Sequence, residues 1–254
     1  GHRRDRQGRE HARRLADPAD VNSRSGLPRT ARQCKTLPVA KKDNANPHRR
    51  SQDQLLERVP KAIYETELFR LQAELVKLQR EVKFKGTLTQ FFDYVRKDPK
   101  FQPKTREALT QSYYDIDKEV DAKIGDYFSL LPKAPLEIRP YDPSTEQFEA
   151  GGSYQSGTAD GSRPGVFYFN AYDLPSRLTP GNVTLYLHEG APGHHFQISL
   201  AQENEALPAF MRYGGTTAFV EGWALYAETL GNEMGFYKDP WNRYGTLQDE
   251  QLRA

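Results

Sequence analysis

Residues 185–200 read LYLHEGAPGHHFQISL and place three histidines and a glutamate within eight positions, 188–195. The chain has six histidines in all, and the other three, His2, His11 and His48, lie in its first fifty residues. His188 followed by Glu189 opens like an H-E-x-x-H helix. In such a helix two imidazoles one turn apart hold zinc, and the glutamate beside the first serves as general base. Here the fourth position after His188 is Pro192, which cannot coordinate. The next candidates are His194 and His195, at six and seven residues.

Neither suits a straight helix. Seven residues return to nearly the same face, but about 10.5 Å further along the axis, and six residues are rotated away from it. Pro192 has no N–H for the His188 carbonyl, its ring would clash there, and it pushes Ala191 toward extended backbone. Gly190 and Gly193 flank the break and allow unusual dihedrals. The spacing therefore predicts a kink or bulge that returns a later histidine to the side of His188, with His194 and His195 both candidates for the second ligand. Capping or buried hydrogen bonds without metal are the bland alternative, which fits a lone histidine better than three beside a glutamate.

A third acid is at hand in FVEGWALYAE, residues 219–228. Two histidines and one carboxylate leave zinc a position open for water, and Glu221 follows a Gly214-Gly215 turn that lets its helix approach its neighbour. Glu228, two turns on, lies on the same face. It is a candidate for orienting an imidazole, a solvated surface acid being the usual fate. Tyr226 and Tyr213 are candidate donors to a developing oxyanion, with packing as their default role.

The elements that must carry these residues are mostly helices. VPKAIYETELFRLQAELVKLQREV spaces Leu71, Leu75, Leu78 and Val82 along one face, with a break at Gly86. TLTQFFDYVRKDP presents Phe91, Phe92 and Val95 and stops at Pro99. Residues 105–131 repeat the pattern with Leu109, Tyr113, Ile116, Val120, Ile124 and Phe128. LEIRPY alternates like a strand, residues 149–165 form a Gly/Ser-rich loop, and VFYFNAYDL is rich in strand formers, so a hairpin or small sheet is expected. A helix starts at Thr179-Pro180. GTTAFVEGWALYAETLG makes another, with Phe219, Trp223, Tyr226 and Leu230 as one stripe ended by Gly231. Asp239-Pro240 opens the last helix.

Residues 1–50 contain no Phe, Tyr, Trp, Ile or Met and carry 14 Lys and Arg against 5 Asp and Glu. So little apolar surface cannot offset the roughly 1–2 kcal/mol per residue of backbone entropy lost on ordering. This stretch reads as a disordered basic tail. A nucleic-acid arm is the alternative, but it lacks the aromatic interleaving of single-strand binders, so nucleic acid is an unlikely partner. The single Cys34 rules out an internal disulfide. No run approaches the ~20 apolar residues of a membrane span. No apolar signal segment opens the sequence, so cytoplasm is the default compartment and the state of assembly is left open.

These segments resemble a bacterial family known as domain of unknown function 885, a presumed zincin-like metallopeptidase group. The matching text is FKGTLTQFF, SGTADGSRPGVFYFNAYDLPSR, LHEGAPGHHFQ, FVEGWALYAE and YGTLQDEQLRA, spanning roughly 70–254. FVEGWALYAE is also similar to the third-ligand helix of the thimet oligopeptidase family, which by analogy makes Glu221 the ligand. The resemblance implies a mainly α, zincin-like fold with a small β-sheet. It also implies an edge strand for extended peptide, equated with VFYFNAYDL and its Tyr168, and Arg163 is a candidate for a substrate carboxylate. The family pattern continues past Ala254 into further helices, so the chain reads as an incomplete fold.

The expectation is thus a tail at 1–50 and a helical domain at 51–254, with helices to 131, sheet and loops over 132–177, and site helices from 178. Its function is a metal-dependent hydrolase, a zinc peptidase acting on peptide substrates. Glu189 is the base, and His188, His194 or His195, and Glu221 are ligands to Zn²⁺. A non-catalytic zincin-like binding protein, or an inactive fragment, without a complete metal site is the alternative.

Overall fold

The computed structural model describes residues 60–253. The tail at 1–50, its basic charge and Cys34 lie outside the described residues, as does the start of the helical region before Pro60. Within them the chain forms eight α-helices and one three-stranded sheet, a mainly helical fold. No helix among the described residues is long and apolar enough to cross a membrane.

Helix α1 spans Lys61–Glu81, α2 Leu88–Lys97 and α3 Arg106–Tyr127. Their starts are written locally. Thr87 and Gln90 close a reciprocal capping box on α2, and the Thr105 side chain accepts from Ala108 N at the head of α3. The predicted faces are the buried ones. Leu71, Leu75 and Leu78 of α1 pack with Phe91 and Val95 of α2, Phe101, and Tyr244 and Leu247 of the last helix. Leu109, Tyr113, Val120 and Ile124 of α3 belong to the larger core under the sheet and the site helices.

Strands β1 (Leu136–Pro140), β2 (Gly152–Gln155) and β3 (Gly165–Phe169) form a sheet of order β1-β3-β2. β1 runs parallel to β3, with Ile138 opposite Phe167, and β2 runs antiparallel to it, with Tyr154 opposite Phe167. Two expectations need correction. The Gly/Ser-rich stretch contains β2, which propensity would not place there. Gly152 is wanted for close approach, since a Cβ there would lie 3.1 Å from both Leu185 Cδ1 and Phe167 Cε2. And β3 is the central strand, paired on both sides, so it is not the edge. The apolar run Val166–Phe169 reflects burial on two faces, with Phe167 and Phe169 fully buried on one and Val166 buried on the other.

Four helices complete the domain around the site: α4 (Asn182–Glu189), α5 (His194–Glu203), α7 (Thr217–Glu233) and α8 (Pro240–Arg253). A short α6 (Ala209–Tyr213) links α5 to α7. Gly231 does not end α7. It sits inside the helix where a Cβ would come within 2.8 Å of Leu187 Cδ1 and 2.6 Å of Tyr237, so the glycine lets α7 close on α4. The stripe read on α7 is only partly core. Leu230 is buried, but Phe219 is 58% and Tyr226 52% exposed, because the C-terminal turns of α7 carry the core contacts.

Candidate metal centre

The break at Pro192 is a full interruption. α4 stops at Glu189, residues 190–193 turn, and α5 starts afresh at His194. The Ala191–Pro192 peptide is cis. Trp223 of α7 donates from Nε1 to the Pro192 carbonyl at 2.7 Å, tying the turn to the third helix. Gly193 leaves no room for a side chain while the turn keeps this geometry, since a Cβ there would stand 1.9 Å from the His188 carbonyl oxygen.

This turn brings His194, rather than His195, beside His188. The two rings lie 4.7 Å apart at 84°. Adjacent helical residues point about 100° apart, so one histidine of the pair must look elsewhere. His195 is buried on the far side, its Nδ1 3.0 Å from the Tyr154 hydroxyl of β2. There it lines a cavity of about 310 Å³ with Asp117, Asp121 and Tyr186. His195 therefore does not belong to the cluster and acts as a tether between α5 and the sheet.

Glu221 of α7 completes the group. Its carboxylate lies 3.4 Å from His188 Nε2 and 3.7 Å from His194 Nε2, and one ligand atom from each of the three residues falls within 4.8 Å of the others. Glu228, seven residues later on the same face, is buried and accepts from His188 Nδ1 at 2.8 Å. That hydrogen bond leaves Nε2 as the nitrogen turned toward Glu221. Arg253, which the sequence reading missed, reaches Glu228 from α8 at 2.6 Å. No motif marks it, because the contact joins residues far apart in the chain.

Burial dominates the electrostatics. It pushes the Glu189 carboxyl up to about 7, against the pull of His188 and with help from the charges of Glu221 and Glu228. Burial also pulls the His188 imidazole down, yet the hydrogen bond to Glu228 and the carboxylates of Glu189, Glu228 and Glu221 outweigh it and leave it above its ordinary value. His194 is held below its ordinary value by burial and then by His188, and His195 falls to about 4 by burial.

The donor set fits zinc: two imidazoles and one carboxylate suit a four-coordinate ion with a place left for water. No Lys or Arg among the described residues pairs with Glu221, and the buried Nδ1 of His194 has no hydrogen-bond partner there. The remaining candidates stand apart. Arg163 is exposed and donates to Gly157 O within its own loop. Tyr168 is half-buried and stacks on Tyr141 at 5.5 Å. Tyr226 lies five residues from Glu221, on a different face of α7, against Trp223, and Tyr213 is 63% exposed on α6.

The fold is similar to a crystal structure described as that of "the putative lipoprotein from Colwellia psychrerythraea", at 30% identity and a TM-score of 0.71. The match covers 78% of this chain but 35% of that one, so the chain spans about a third of the length of the relative it matches. No curated protein matches it. The family model described as "Bacterial protein of unknown function (DUF885)" matches residues 11–254, reaching further toward the N-terminus than the resemblance over 70–254 and into the basic tail. The chain therefore belongs to this bacterial family of unknown function, DUF885.

Proposed function

We propose that this chain holds a zinc ion through His188, His194 and Glu221 and acts as a metal-dependent hydrolase of the zincin-like type, cleaving peptide bonds. The observation that carries the reading is the convergence of those three side chains within 4.8 Å, beside a buried Glu189. A zinc ion there supplies a Lewis acid for the substrate carbonyl and makes water more acidic.

The chain's own residues do the rest. Glu189 precedes the break in α4, and no side chain among the described residues hydrogen-bonds its carboxylate, so its oxygens are free to accept a proton from attacking water and return it to the leaving amine. Glu228 holds the His188 ring in orientation through Nδ1. The strand that would pair with an extended peptide is β2 rather than β3, because β2 is an edge of the sheet and its Tyr154 touches α5 through His195. The kinship with a protein described as a lipoprotein weighs against carrying the cytoplasmic default further.

Metal analysis of the purified chain tests the reading. One zinc per chain, lost in His188→Ala, together with peptide hydrolysis that falls about 10²–10⁴-fold in Glu189→Gln while zinc is retained, is the expected result. A folded chain that takes up no zinc points to the non-catalytic binding protein instead. Wild-type hydrolysis by the Gln variant removes Glu189 from the role of base.

A further inference from the structure

Glu228 is 3% exposed, deeper than Glu189 at 7%. A carboxyl group so far from water needs partners on both oxygens. One is His188, donating from Nδ1 to Oε1 at 2.8 Å. The other comes from the last turn of α8, where Arg253 donates from Nη2 to Oε2 at 2.6 Å and from Nη1 to Oε1 at 3.3 Å. The backbone at Glu228 is held as well, its carbonyl accepting from the Tyr237 hydroxyl at 2.9 Å. Side chain and main chain of this one residue are thus gripped from the segment 237–253, which brings no ligand of its own to the cluster.

We propose that Arg253 is a positioning residue of the metal centre. Its planar fork clamps the Glu228 carboxylate so that Oε1 faces His188 Nδ1, which keeps Nε2 aimed at Glu221 and His194. Without the clamp the carboxylate turns about its own axis and the imidazole loses the partner that fixes its plane and its tautomer. Two donors in one rigid plane do this better than the single rotating ammonium of a lysine. The inference rests on the metal-binding reading above, since what the clamp tunes is the hold of His188 on the ion.

The test uses the full chain with zinc alone as ligand. Zinc affinity is measured by competition with a chelator in wild type, Arg253→Met and Arg253→Lys, with circular dichroism to confirm folding. In parallel, the tautomer of His188 is read by ¹⁵N NMR in the zinc-free chain, at a pH high enough to keep the imidazole neutral. The Met variant is expected to bind zinc about 10–100-fold more weakly and to lose the Nδ1–H tautomer, whereas Lys, keeping the charge, recovers part of both. A role confined to stability would lower the melting temperature and leave the tautomer and the zinc affinity of the folded variant as in wild type. Wild-type zinc affinity in Arg253→Met overturns the proposal. If Arg253→Met does not fold, Arg253→Lys is judged alone, and wild-type affinity and tautomer in it overturn the clamp. A wild-type chain that takes up no zinc overturns the metal reading instead, and the tautomer comparison then decides Arg253 by itself: loss of Nδ1–H in the variant supports the clamp, and no change refutes it.

Discussion

Gly193→Ala gives the sharpest test of how the centre is assembled. An alanine Cβ there would sit 1.9 Å from the His188 carbonyl oxygen and 2.3 Å from that of Leu187, both backbone atoms at the end of α4. Restoring ordinary contact at 3.4 Å requires a separation larger by about 1.5 Å, and no side chain can simply rotate to provide it. Either α4 retreats with His188 or α5 retreats with His194, so the cluster opens. Strain of this kind in a packed interior costs about 1–3 kcal/mol, and a misplacement near 1 Å costs a site about 10²-fold. Thermal unfolding of the zinc-free chain and chelator competition for zinc read the two effects separately. Gly222→Ala is the matched control. It adds the same methyl beside Glu221, its Cβ meets nothing within 4 Å, and removing a glycine from a helix interior gains about 0.5–1 kcal/mol. Equal melting temperature and zinc affinity in Gly193→Ala and wild type would refute the geometric argument.

The two neighbouring histidines should separate cleanly. His194→Ala is expected to abolish tight zinc binding with little loss of fold, whereas His195→Ala should keep zinc and lose about 0.5–1.5 kcal/mol through the hydrogen bond to the Tyr154 hydroxyl, which keeps Ser199 Oγ at 3.5 Å, as read by denaturant unfolding. Asp249 supplies a prediction in pH. Burial, and then the charge of Glu228, push its carboxyl up to about 6 from 3.8, against the pull of Arg253 and His188. A raised carboxyl costs stability while ionised, so its contribution improves as pH falls from above 6 toward 4. Asp249→Asn should therefore stabilise the zinc-free chain by about 2–3 kcal/mol at pH 7.5, and by progressively less as pH approaches 4. A difference between variant and wild type that does not change with pH would count against that burial.

Much of the architecture is local and was legible. The stripes Leu71-Leu75-Leu78 and Leu109-Tyr113-Val120-Ile124 became core, because 3.6-residue periodicity decides which face of a helix is apolar before any partner is known. Asp239 caps α8 as its place before Pro240 suggests, accepting from Trp241 N at 2.7 Å. The chemical identity of the cluster was legible too, since three histidines, two glutamates and a proline at this spacing leave few arrangements. The order of the sheet was not. An apolar run such as Val166–Phe169 says that a strand is buried, while pairing partners lie at sequence distances no local pattern records.

The sequence by itself thus determined which side chains are available and that the helix must break at Pro192. Only the tertiary structure decided that His194 turns toward His188 while His195 turns toward Tyr154, that β3 is central, and that Glu228 is buried between His188 and Arg253. The reason is physical. A backbone break follows from one residue's missing N–H and its ring, but the direction the chain takes after it is set by what packs on either side, here Trp223 of α7 on the turn and the sheet behind α5.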